Sequence, residues 1–102
     1  MQKRWQMRSL REREIEKKLV EAVRKTGGIC PKFISPGTDG MPDRIVLLPG
    51  GKIGFVEVKA PGKRPRPLQE RRHRQLRTLG FKVFVLFDLE QIGVIIDEIL
   101  SA

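Results

Sequence analysis

A chain of 102 residues has room for one domain built around one hydrophobic core. Its apolar residues, 39% of the total, are clustered, which excludes a disordered tail, and no apolar run reaches the 18 residues of a membrane span. A formal charge of +9, from 21 Lys and Arg against 12 Asp and Glu, points to a polyanionic partner.

Residues 1–8 read as a basic N-terminal extension of a single domain spanning 1–102. Ser9 to Thr26 is predicted as a helix, with Ile15, Leu19, Ala22 and Val23 as its apolar stripe and Gly27-Gly28 as its stop. These first 26 residues carry charge at helical spacing and lack an apolar centre, so no secretory leader is expected. Ile29 to Ser35 is a short strand, followed by the turn cluster Pro36-Gly37-Thr38-Asp39-Gly40. The single Cys30 rules out an internal disulfide and a cysteine zinc cluster, and fits a reduced, cytoplasmic setting. Arg44 to Leu48 is a strand, Pro49-Gly50-Gly51 a turn, and Lys52 to Lys59 a strand. Pro61 to Arg66 is a basic loop. Pro67 to Leu79 is a second helix, with Pro in its first turn and Gly80 at its exit. Lys82 to Phe87 is a dense apolar strand, expected at the sheet centre. Asp88 is expected to cap a last helix that turns Ile92, Ile95, Ile96, Ile99 and Leu100 inward. The predicted class is α/β, in α-β-β-β-α-β-α order, with a mixed sheet flanked by helices.

Met41-Pro42-Asp43 is followed, fourteen residues after the aspartate, by Glu57-Val58-Lys59. Side chains alternate along a strand, so Ile53, Phe55, Glu57 and Lys59 share one face, as do Asp43, Ile45 and Leu47. A two-residue Gly50-Gly51 loop would send Asp43 and Glu57 to opposite faces. A three-residue Pro49-Gly50-Gly51 loop, as a type I turn with a G1 bulge, pairs Leu48 with Lys52 and Asp43 with Glu57. The turn residues favour the second register. Like charges across a strand pair repel, and a divalent cation is their natural compensation. Two carboxylates holding a cation, with an ammonium beside the attacking water, are what phosphodiester hydrolysis requires. The bland alternative is a surface acid next to a charged strand end.

Glu12 falls on the apolar stripe of the first helix and is the candidate third acid, bound directly or through water. The alternative is that it completes a capping box from Ser9, with Glu16 as the reserve acid. Gln69, in the first turn of the second helix, orients the attacking water or a phosphate, or is simply a polar first-turn residue. Arg72 shares the apolar stripe of that helix. His73 lies near Gln69 on the flank and is not expected to be the base. Between residues 63 and 77 stand Lys63, Arg64, Arg66, Arg71, Arg72, Arg74 and Arg77 against Glu70 alone. With Lys32, which either meets a phosphate or is merely exposed, the first six are the candidate DNA-binding residues.

Four blocks carry a family resemblance: Lys32-Phe33-Ile34-Ser35-Pro36-Gly37, Gly40-Met41-Pro42-Asp43-Arg44-Ile45-Val46, Phe55-Val56-Glu57-Val58-Lys59-Ala60-Pro61-Gly62, and Pro67-Leu68-Gln69. Together they closely resemble the VRR-NUC family of the PD-(D/E)xK nuclease superfamily, from about Glu12 to Phe87. The resemblance implies that Asp43 and Glu57 are metal ligands joined by the Val58 backbone carbonyl. It implies further that Lys59 is the catalytic lysine, Gln69 an auxiliary residue and Glu12 the helix acid. It also implies a small, standalone, phage-type member, dimeric and acting on branched DNA including four-way junctions. The expectation is therefore a Mg²⁺-dependent DNA endonuclease, with Mn²⁺ able to substitute, acting as a homodimer in the host cytoplasm with no membrane partner. The rivals are a nicking or flap nuclease without junction preference and a non-catalytic nucleic-acid-binding module.

Overall fold

The structure is a computed structural model that describes residues 4–102, with side chains from residue 11 onward. Its elements are α1 (Arg4–Lys25), β1 (Arg44–Leu48), β2 (Lys52–Val58), α2 (Pro67–Thr78), β3 (Lys82–Leu86) and α3 (Gln91–Leu100). Helix α1 starts five residues before the predicted Ser9. Residues 4–8 contain neither Pro nor Gly, so nothing in them stops the helix upstream. Ser9 is thus helical and not a cap, and the capping-box reading of Glu12 is lost. Trp5 and Met7, an apolar candidate for a dimer interface, lie outside the described side chains.

The sheet runs β1-β2-β3, with β1 antiparallel and β3 parallel to β2. The predicted first strand is present as an edge segment beside β1. It bridges Ile29 to Leu47 and Lys32 to Arg44 in one register. Ile29 and Leu47 exchange both backbone bonds, but at the next hydrogen-bonded pair only Ile45 donates, to the Pro31 carbonyl. Pro31 has no N–H to return, so the ladder breaks into isolated bridges. Counting this segment, the order is α-β-β-β-α-β-α. The central strand is β2, not β3: from Gly54 to Val58 every residue of β2 is buried. The open side of β3 is closed by side chains, with Arg77 Nη2 donating to the Val83 carbonyl and Gln91 Nε2 to that of Val85.

Alternation divides the sheet into two faces. Val46, Leu48, Val56, Val58 and Leu86 pack with Ile15, Leu19 and Val23 of α1 and Ile92, Ile95, Ile96 and Ile99 of α3. Phe55 and Val83 face α2 through Leu76, with Phe33, Met41 and Ile45 alongside. Phe55 meets Phe33 and Phe81 edge-on, at centroid distances of 5.8 and 5.7 Å. Gly54 marks the closest approach of α3: a Cβ there would stand 2.5 Å from Ile99 Cδ1. Two expectations for the last helix change. Leu100 is exposed, and Asp88 lies before the Glu90 N-cap, where its Oδ1 accepts the Glu90 N–H in a turn. Cys30 is buried, and burial pushes its thiol up to about 11.

Candidate active site

The β1–β2 hairpin sets the site. Leu48 pairs with Lys52 and Arg44 with Val56, so the register continued one step puts Asp43 opposite Glu57. This is the register of the three-residue loop. The turn itself differs from the expected type I form: Gly50 and Gly51 both take positive φ, +85° and +74°. A positive φ at the residue after Pro49 is the type II signature, and glycine alone adopts it freely. A third positive-φ glycine, Gly40 at φ +83°, directly precedes Met41-Pro42-Asp43. A Cβ at Gly40 would fall 2.9 Å from Leu68 Cγ and 3.0 Å from its carbonyl oxygen, so the backbone before Asp43 packs directly on the start of α2. Pro42 behind it is fully buried.

Asp43 and Glu57 occupy different environments. Glu57 is 1% exposed. Its Oε2 accepts Gln69 Nε2 at 3.0 Å and lies 3.6 Å from Lys59 Nζ. Its Oε1 has no hydrogen-bond partner and faces His73 Nε2 at 3.5 Å; both atoms are buried and unpartnered. A buried polar atom left unpaired costs about 1–3 kcal/mol. Asp43 is exposed at the rim, yet its carboxyl end leans on β2, where Oδ2 accepts the Val58 N–H at 2.9 Å. Its pKa is raised from 3.8 to about 6, first by local burial, then by the neighbouring Glu57 carboxyl. The Val58 amide and the Lys59 ammonium offset part of this. The two carboxyls are thus neighbours, as the register requires.

Gln69 is held at both ends of its amide. Oε1 accepts the Arg66 backbone N–H at 2.8 Å, so Nε2 must be the end facing Glu57. The capping role and the site role of Gln69 are one arrangement. In the structure this amide fixes Glu57. His73, one turn later, is 2% exposed and on the same buried face. The sequence reading puts it on the flank; the i, i+4 spacing from Gln69 and the i, i+3 spacing to Leu76 are the signal that it faces the sheet.

The helix acids separate. Glu16 Oε2 is taken by Arg44 Nε at 2.8 Å, while Arg44 Nη1 donates to the Cys30 carbonyl at 2.8 Å. Glu12 has no such partner among the described residues. With Glu16, Lys32, Phe33, Ile34, Asp43 and Val58 it lines a cleft of about 270 Å³. Helix α1 covers the face opposite Glu57, and Glu12 and Asp43 line this one cleft. Among the described residues no three His, Cys, Asp or Glu side chains converge closely enough to hold an ion by themselves. A larger groove of about 590 Å³, between α1 and α3, includes none of the predicted site residues.

Lys63, Arg64, Arg66, Arg71 and Arg74 are exposed, and none forms an ion pair with another described residue. Lys32 is exposed on the lip of the cleft. Arg72 departs from this set: its Nε donates to the Asp39 carbonyl at 2.8 Å and its Nη1 to Gln75 Oε1, which ties the turn cluster to α2. No described helix is long and apolar enough to cross a membrane.

The family model for the VRR-NUC domain matches residues 2–87. Over 80 residues the chain is 60% identical to "Putative nuclease p44" of Acyrthosiphon pisum secondary endosymbiont phage 1, covering 78% of this chain and 86% of that protein. A solved structure of a VRR_NUC domain superposes with a TM-score of 0.79 at 35% identity, over 85% of this chain and 95% of that one.

Proposed function

The chain belongs to the VRR-NUC domain family, and from that membership we propose that it is a Mg²⁺-dependent, structure-selective DNA endonuclease, hydrolysing phosphodiester bonds in branched DNA such as four-way junctions as a homodimer. The observation that carries the reading is the meeting of Asp43 and Glu57 at one end of the hairpin, with Lys59 Nζ 3.6 Å from Glu57 Oε2. Two carboxyls brought side by side, with the Glu57 charge helping to raise the pKa of Asp43, form a donor set suited to a hard divalent cation. Asp43, Glu57 and the Val58 carbonyl would hold it, with Glu12 acting directly or through water from across the cleft. When bound, the ion supplies a water of lowered pKa and neutralises charge on the scissile phosphate. Mn²⁺ would serve as well.

The chain's own groups do the remaining work. Lys59 Nζ, as the ammonium, positions the attacking water and counters the charge growing on the phosphate in the transition state. Gln69 holds Glu57 in one orientation, so the carboxylate needs no reorganisation during the reaction. Arg64, Arg66, Arg71 and Arg74, exposed and without ion-pair partners among the described residues, would meet backbone phosphates without reading sequence. One site per chain favours a two-fold pair for two coordinated cuts. A phage-encoded relative supports action in the cytoplasm of a bacterial host.

The test is cleavage of duplex, flap, splayed and four-way-junction DNA in Mg²⁺, Mn²⁺ or EDTA, with light scattering at low micromolar concentration. Metal-dependent paired cuts on the junction by a dimer are expected. A strict monomer that cuts flaps or nicks duplex would shift the reading to a nicking nuclease. Binding with no cleavage in either metal would shift it to a non-catalytic module.

A further inference from the structure

We propose that His73 is a positioning residue for the active carboxylate, donating its Nε2 hydrogen to Glu57 Oε1 so that α2 grips both oxygens of Glu57. The inference rests on the reading of Glu57 as a metal-holding carboxylate. Its grounds are geometric. Glu57 Oε1 and His73 Nε2 face each other at 3.5 Å, and each is buried without a hydrogen-bond partner. One atom can only accept, the other can donate, and the space around them is closed to water, the residues being 1% and 2% exposed. A closure of about half an ångström converts the contact into an ordinary hydrogen bond. Gln69 already holds Oε2 at 3.0 Å from one turn earlier on the same helix face. The Gln69-x-x-x-His73 pair is thus a two-toothed comb that meets one carboxylate, and Leu76, the next buried residue of that face, seats the helix on Phe55 and Val83.

A carboxylate held at both oxygens presents one remaining lone-pair direction on each, set by the protein. Partners of this kind tune the affinity of the group they orient by about 10–100-fold. Packing alone makes a different forecast: any side chain of similar volume at position 73 would do. The two are separated by the hydrogen bond and not by shape.

The experiment measures Mn²⁺ binding to the full, DNA-free protein by electron paramagnetic resonance of the free ion, with thermal melting as the check on folding. His73→Phe, which keeps bulk and removes the donor, is expected to weaken Mn²⁺ binding about tenfold or more. His73→Gln, which restores an N–H donor at similar reach, is expected to remain within about threefold of the parent, well below that range. If His73→Phe does not fold, His73→Met supplies the donor-free comparison. Glu57→Gln is run beside them. Unchanged Mn²⁺ affinity in Glu57→Gln would overturn the metal-site reading itself. Weakened binding in Glu57→Gln with parental affinity in His73→Phe would overturn only the role of His73. Equal weakening in folded His73→Phe and His73→Gln would also overturn it, because shape and not the donated hydrogen would then be what matters.

Discussion

Removing the charge of Asp43 should stabilise the metal-free protein while destroying its use. Asp43→Asn keeps an oxygen to accept the Val58 N–H, a bond of 2.9 Å in the parent, and removes the repulsion with Glu57. A carboxyl moved from 3.8 to about 6 would correspond to about 3 kcal/mol in a fully buried site, at about 1.4 kcal/mol per pKa unit. Asp43 is exposed at the rim, so solvent screening reduces the figure to about 1 kcal/mol. The sign follows from linkage. The folded pKa lies above the unfolded one, so the native state binds the proton more tightly. Its benefit is complete below about pH 3.8 and is lost as pH rises through about 6. The parent and Asp43→Asn should therefore melt nearly together at pH 4 and separate between about pH 4 and 7. Above that, the variant should melt about 4–8 °C higher in EDTA for a gain of about 1 kcal/mol. Adding Mg²⁺ should raise the melting point of the parent and leave that of the variant almost unchanged. A variant that melts below the parent at pH 8 in EDTA would refute the argument, because Asp43 would then be a net structural contributor and not a strained ligand.

Glu57→Gln and Lys59→Ala should each reduce cleavage to near background with DNA affinity largely intact, because the lost charge acts on the transition state; gel-shift titration beside a cleavage assay checks this, and equal losses in both would argue against it. Glu16→Gln should cost up to about 1 kcal/mol in a urea melt by weakening the Arg44 pair, whereas Glu12→Gln should leave the melt unchanged and slow turnover. DNA affinity should fall with salt at a slope near −7 in log–log form if Arg64, Arg66, Arg71 and Arg74 meet phosphates in both halves of a dimer, and an affinity indifferent to salt would remove the basic surface from the account. Gly54→Ala should lower stability by about 1–3 kcal/mol in chemical denaturation, because the added methyl would meet Ile99 at 2.5 Å.

Most of the fold was legible in the sequence because its determinants are local. The apolar stripe of α1, the alternation of β1 and β2, the loop glycines and Pro67 all act within a few residues of themselves. The hairpin register belongs with them: the length of the Pro49-Gly50-Gly51 loop decided which face Asp43 and Glu57 share. Local rules failed where a distant partner decided. A dense apolar strand reads as central, yet β3 lies at the edge, its outward carbonyls satisfied by Arg77 and Gln91 from the flanking helices. Which helix acid stays open to the cleft depended on Arg44, which lies 28 residues from Glu16 and reaches it only after the sheet packs on α1. His73 looked like a flank residue because α2 is charged on nearly every side, and its i, i+4 relation to Gln69 acquires meaning only once Glu57 lies beneath both. The sequence by itself determined the carboxylate pair, the lysine and the strands that carry them. Tertiary packing decided which neighbours hold those groups, because burial and pairing between distant segments are properties of the assembled core and not of any stretch of chain.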